Sequence, residues 1–121
     1  MVGAVLAALR RDLVVALKAR DSVSVSALRS ALAAIENAGA VDSSAHPLRA
    51  AESAHVAGAV SGLGTAEVQR RVLGEGEMER LVGAEAEERQ SVAGDLERAG
   101  HHERAARLRA EADVLLRYLP R

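Results

Sequence analysis

The chain has 121 residues, no Phe, no Trp and a single aromatic, Tyr118. A core without large rings has to be filled by Leu, Val, Ile and Ala, which suits backbones that approach closely. Packed helices meet that demand, and the abundance of Ala favours them locally. No stretch sustains the two-residue alternation of a half-buried strand. These features predict an all-α fold: a small antiparallel bundle of about four main helices.

The apolar period sets the elements. Val2, Val5, Leu6, Leu9, Leu13, Ala16 and Leu17 recur at three- and four-residue steps and predict a helix over 3–20. Asp21 and Ser22 read as a stop followed by a new N-cap. Val25, Leu28, Leu32 and Ile35 then mark a second helix over 22–38, closed near Asn37-Ala38-Gly39. The link is so short that the two helices should pack antiparallel. A third helix is expected over 75–99, with Met78, Val82, Ala86, Arg89, Ala93 and Leu96 as its stripe. Glu75, Glu77 and Glu79 suit the positive end of its dipole. Ala99-Gly100 ends it. Ala105, Leu108, Ala112, Leu115 and Leu119 mark a fourth over 101–118, closed by Pro120.

Residues 40–74 break this period and predict an irregular insertion within a single domain spanning 1–121. Asp42-Ser43-Ser44, Pro47, Gly58, Gly62 and Gly64 interrupt it. Pro47 could open a short helix over 48–57, and Thr65 reads as a cap for a turn through Leu73. Gly62-Leu63-Gly64 and Gly74-Glu75-Gly76 lack the third glycine and the preceding strand of a dinucleotide fingerprint. Glu52-Ser53-Ala54-His55 has the spacing of a di-iron ligand pair, but the second pair and the further Glu ligands are missing. His101 and His102 are adjacent, so on a helix they point about 100° apart and do not share a metal. No metal site, cofactor or catalytic residue is predicted.

With no Cys, the chain has no disulfide, thiolate ligand or cysteine nucleophile. No apolar run approaches the roughly 20 residues that span a bilayer, and charges at Arg10, Arg11, Asp12 and Lys18 argue against a signal peptide. The expectation is a cytoplasmic protein with no membrane contact. Arg occurs fifteen times against Lys18 alone, a bias that reads as genome composition more than design. Net charge is -1, so no global field draws the chain to nucleic acid. The charge is uneven, however. Arg10, Arg11, Lys18 and Arg20 face only Asp12 in the first twenty residues. Eight acids (Glu75, Glu77, Glu79, Glu85, Glu87, Glu88, Asp95, Glu97) face only Arg80, Arg89 and Arg98 across 75–98. The two regions read as solvated faces that attract each other within the fold. The functional alternative is a basic first helix that contacts an anion or RNA through Arg10, Arg11, Lys18 and Arg20, in a weak and salt-sensitive way.

One feature departs from the apolar pattern. Arg89 lies at the centre of its helix's stripe, with Glu85 one turn earlier, Glu111 beside the stripe of the last helix and Arg29 beside that of the second. A charge that leaves water must be paired. Arg29, Glu85, Arg89 and Glu111 are therefore predicted to form either a structural ion-pair cluster or a small charged ligand site.

Two stretches resemble the YqeY family. They are Asp12-Leu13 with Ala16-Leu17-Lys18-Ala19-Arg20-Asp21, and Leu28 through Asn37. The later run of Glu88-Arg89, Ala99-Gly100, Arg107 to Ala112 and Tyr118-Leu119-Pro120 follows the same family's order. The resemblance covers residues 4–38 and 75–120, with 40–74 similar to the insertion of a shorter subgroup. It marks Asn37, Gly100, Tyr118 and Pro120 as pattern residues and implies an all-helical domain. It also implies a label inherited from the helical tail of the Asp/Glu-tRNA amidotransferase: carbon–nitrogen ligase with glutamine as amido-nitrogen donor. Longer members continue past Tyr-Leu-Pro into a second helical domain. Since this sequence ends at Arg121, the expectation is a short form without that tail-like domain. The function expected is a non-catalytic accessory module, with an unknown protein partner or tRNA. The alternative is a weak tRNA-binding adaptor.

Overall fold

A computed structural model describes residues 3–40 and 72–121. Expectations for 41–71, including the helix after Pro47, the Glu52/His55 pair, Gly62-Leu63-Gly64 and the Thr65 cap, lie outside the described residues. The chain divides into two compact units, residues 1–35 with 74–121 and residues 36–73. The first is built from α1 (Ala4–Ala19), α2 (Ser22–Gly39, through Ile35), α3 (Glu75–Arg98) and α4 (His102–Leu116). No strand occurs among the described residues, and none of their helices is long and apolar enough to cross a membrane.

Each helix end has a local cause. At the end of α1, Arg20 N–H bonds the Leu17 carbonyl and Asp21 N–H reaches back to the Ala16 carbonyl. This closure needs a left-handed residue, and Arg20 supplies it with φ 56° instead of a glycine. Asp21, rather than Ser22, caps α2. Its carboxylate accepts from the Ser24 amide at 3.1 Å and the Ser24 hydroxyl at 2.7 Å, and these bonds lower its pKa. Gly100, at φ 87°, closes α3 by the same device, with His101 N–H on the Leu96 carbonyl at 2.8 Å.

The last two helices form a hairpin. Moving away from the Ala99–His101 turn, Glu97 meets Arg109, Arg89 meets Glu111 and Gly83 lies under Leu119, so α3 and α4 are antiparallel. Arg107 reaches the Ser22 carbonyl, and Glu111, one turn on, accepts from Ser26, so α4 runs parallel to α2. Glu75 at the start of α3 bonds the start of α1, so these two helices begin side by side.

The core contains Leu9, Leu28, Val82 and Leu115, together with Ala16, Ala27, Ala31, Ala86, Ala93, Ala105 and Ala112. The alanines are the small contacts that an aromatic-free core requires. Leu17 leaves the expected stripe and is 45% exposed. The buried arc of α1 centres on Val5, Leu9 and Ala16, and Leu17 stands about 100° further round.

Candidate functional site

The charged cluster assembles inside the bundle. Glu111 is only 4% exposed. Its Oε1 accepts from Arg89 Nε at 2.9 Å and from the Ser26 hydroxyl at 3.3 Å, and its Oε2 accepts from Arg107 Nε at 3.3 Å. The Arg89 side chain, 11% exposed, also donates Nη1 to the Glu85 carboxylate at 3.1 Å and to the Glu85 carbonyl at 3.2 Å. Three helices thus share one network. Helical spacing places Glu85 and Arg107 each one turn from the partner they bond. Arg29 does not join: it is exposed on α2 and makes no ion pair with a described residue. The α2 position that enters the cluster is Ser26, which by its place in the sequence reads as helix surface. Ser26 and Arg107 are the members that sequence reasoning misses. Their i+4 relation to Ser22 and Glu111 is visible in the sequence, but their approach across 85 residues is not.

The network leaves little chemistry open. No buried side-chain nitrogen or oxygen among the described residues lacks a hydrogen-bond partner. Every polar atom that Glu111 presents is occupied by a cation or a hydroxyl. With three of the roughly four acceptor positions of a carboxylate filled and the residue only 4% exposed, Glu111 is poorly placed to meet a substrate.

A second feature lies where α1, the start of α3 and the chain's last residues meet. An open cleft of about 610 Å³ is lined there by Arg11, Asp12, Glu75, Glu79, Arg117 and Tyr118, with Pro120 at its edge. The Tyr118 hydroxyl donates to Asp12 Oδ2 at 2.6 Å, and Arg11 Nε donates to Asp12 Oδ1 at 3.2 Å. The tyrosine bond is the main cause that lowers the Asp12 pKa, against a smaller opposing effect of burial. Burial, then the bonded Asp12 carboxylate, raises the Tyr118 pKa. The pair is therefore locked as carboxylate and neutral phenol, and neither group exchanges a proton readily near neutral pH.

Glu75 does more than complement its own helix. Its two carboxylate oxygens accept from the Gly3 amide at 3.0 Å and the Val5 amide at 2.9 Å, so it caps α1 from another helix. The α1 cations are exposed. Arg11 bonds only its neighbour Asp12, and Arg10, Lys18 and Arg20 pair with no described residue. No ion pair joins the α1 cations to the acids of α3 among the described residues; Glu75 meets α1 through backbone amides instead. Of the family-pattern residues, Asn37 is exposed in the last turn of α2, Gly100 makes the α3 closure and Tyr118 holds Asp12. His102 Nδ1 lies 2.7 Å from Glu97 on the surface, and no group of three metal-ligating side chains occurs among the described residues.

No family model, curated protein or solved structure matches this chain.

Proposed function

We propose that this protein is a non-catalytic helical accessory module of the YqeY type, acting by contact with a partner of the translation or amidotransferase machinery in the cytoplasm. The observation that carries the reading is the closure of the Arg89–Glu111 network. Its acids and bases hold one another, and the second polar pair, Asp12 with Tyr118, is likewise locked. What remains available is surface, above all on α1. There Arg10, Arg11, Lys18 and Arg20 stand among exposed Val14, Val15 and Leu17.

A second reading, a weak tRNA-binding adaptor, rests on the same four exposed cations. It differs in chemistry. Phosphate recognition uses the cations alone and weakens steeply with salt, whereas a protein contact also covers the apolar side chains between them. Affinity capture from a cell extract, paired with tRNA binding measured by fluorescence anisotropy over a salt series, separates the two. The module reading expects a discrete protein partner and tRNA binding that vanishes by about 200 mM salt. Tight tRNA binding that survives that salt would refute it. Glutaminase activity from the purified chain would restore the ligase label that the family resemblance carries.

A further inference from the structure

The outward faces of α1 and α3 carry opposite charges beside apolar side chains, of which Val14, Leu17 and Val92 are exposed and Leu81 is half-buried. On α1, Arg10, Val14, Leu17 and Lys18 fall within an arc of about 100°, turned away from Val5 and Leu9. Val14 is 50% and Leu17 45% exposed, and the two cations beside them have no described partner. On α3, Leu81, Glu88, Val92 and Asp95 fall within about 60°, turned away from Val82 and Ala93. Val92 is 37% exposed. Glu88 is exposed and forms no ion pair with a described residue, while Asp95 bonds only Arg98 on its own helix.

Single exposed hydrophobics are ordinary on protein surfaces. The arrangement is what distinguishes these. Each helix presents an apolar pair framed by charge at three-, four- and seven-residue steps, the spacing by which one helix seats on another. The signs are opposite, and Arg10, Lys18 and Glu88 form no ion pair with a described residue, while Asp95 is held only by the exposed Arg98 on its own helix. A phosphate polymer would use Arg10 and Lys18 but gain nothing from Leu17, and it would be repelled by α3.

We propose that two copies of this chain associate, the Arg10–Val14–Leu17–Lys18 face of one against the Leu81–Glu88–Val92–Asp95 face of the other. Charge complementarity sets the register, and burial of Val14, Leu17, Leu81 and Val92 supplies the attraction. Reciprocal use of both faces closes a pair, and one-sided use extends a chain of copies. The inference rests on the reading of the protein as a contact-making module and adds one specific partner.

Sedimentation of the full chain from about 1 μM to about 1 mM tests it. Mass should rise with concentration, and association should weaken at least about tenfold when salt screens the exposed charges. Two charge-reversed variants sharpen the test: Arg10→Glu with Lys18→Glu, and Glu88→Arg with Asp95→Arg. Each alone should be monomeric with unchanged far-UV circular dichroism, because both of its faces then carry one sign. Mixed in equal amounts they should associate, since every contact becomes attractive again. Should either variant misfold, Val14→Ser with Leu17→Ser should abolish association while leaving the core intact. A wild type that stays monomeric over the whole range overturns the proposal, as do folded variants that associate alone or fail to associate when mixed. None of these failures alters the outcome of partner capture or of tRNA titration.

Discussion

Replacing Glu111 by Leu isolates the energetics of the buried network. The two side chains are close in size, so the substitution opens no large cavity. Its effect is electrostatic. Arg89, 11% exposed, loses the 2.9 Å partner at Nε and keeps only Glu85, whose side chain is 30% exposed. Removing one member of a buried pair costs about 3–5 kcal/mol. The surviving Glu85 contacts place this case at the lower end, about 3 kcal/mol. Domains of this size are stable by roughly 5–15 kcal/mol in total, so the loss is large, and it corresponds to a drop in Tm of roughly 10–20 °C. Arg89→Leu should cost less, about 2 kcal/mol, because Glu111 retains Arg107 and the Ser26 hydroxyl. With both replaced, no uncompensated buried charge remains, and stability should return to within about 1–2 kcal/mol of wild type in either direction. Urea unfolding followed by far-UV circular dichroism measures all three, with constant m-values as the check on a common transition. The double variant should therefore be far more stable than the sum of the singles implies, a coupling of at least about 3 kcal/mol. A Glu111→Leu protein that loses less than about 1 kcal/mol, or singles that simply add, would refute the network as a stabilising unit.

Arg20→Gly should raise stability by about 0.5–1 kcal/mol in the same titration, since it removes the left-handed strain at φ 56° at some cost in unfolded-chain entropy. Tyr118→Phe should lower stability modestly at neutral pH and change its pH dependence at both ends of a thermal-melt series. Because the folded-state pKa of Asp12 lies below its unfolded value, the wild type holds that stabilisation above about pH 4 and loses it as pH falls through the folded value. The Asp12 side chain is 37% exposed, so the contribution stays under about 1 kcal/mol. Because the Tyr118 pKa is raised in the fold, wild type also loses stability as pH rises past about 10, a decline the Phe variant should lack.

The helices were legible because their period is local. Expected spans of 3–20, 22–38, 75–99 and 101–118 meet observed helices over Ala4–Ala19, Ser22–Gly39, Glu75–Arg98 and His102–Leu116. The expected stripes were narrower than the true buried faces. Ala27 and Ala31 are fully buried on α2 although neither stood on the Val25–Ile35 stripe. A small residue bears no mark in sequence that separates a close helix contact from a solvent-facing filler. The long-range polar contacts were illegible for a different reason. Glu75 has ample cause to sit at the start of α3, as a complement to that helix's dipole. Nothing local says that its oxygens turn instead to amides 70 and 72 residues away. Tyr118 and Asp12, 106 residues apart, meet only because α1 and α3 begin side by side and α4 returns to that end.

Arg89 and Glu111 were partly legible because each breaks or borders an apolar stripe, but the stripe does not say which arginines need to be arginine. Composition alone reads the excess of Arg over Lys as background. The structure separates the cases. Arg10 and Arg20 make no ion pair with a described residue, and any solvated cation satisfies those positions equally. Arg89 is different: Nε is committed to α4 while Nη1 takes two acceptors from Glu85 on α3. That geometry needs a planar fork, with donors fixed in direction and charge spread over the plane. An ammonium at the end of a flexible stem is a single point that cannot face both helices at once without leaving one carboxylate buried and underbonded. The specificity of the cluster is therefore geometric rather than a matter of charge. It is directed at the protein's own carboxylates, which is why the one buried charge site among the described residues belongs to the bundle's architecture and leaves recognition to the exposed helix faces.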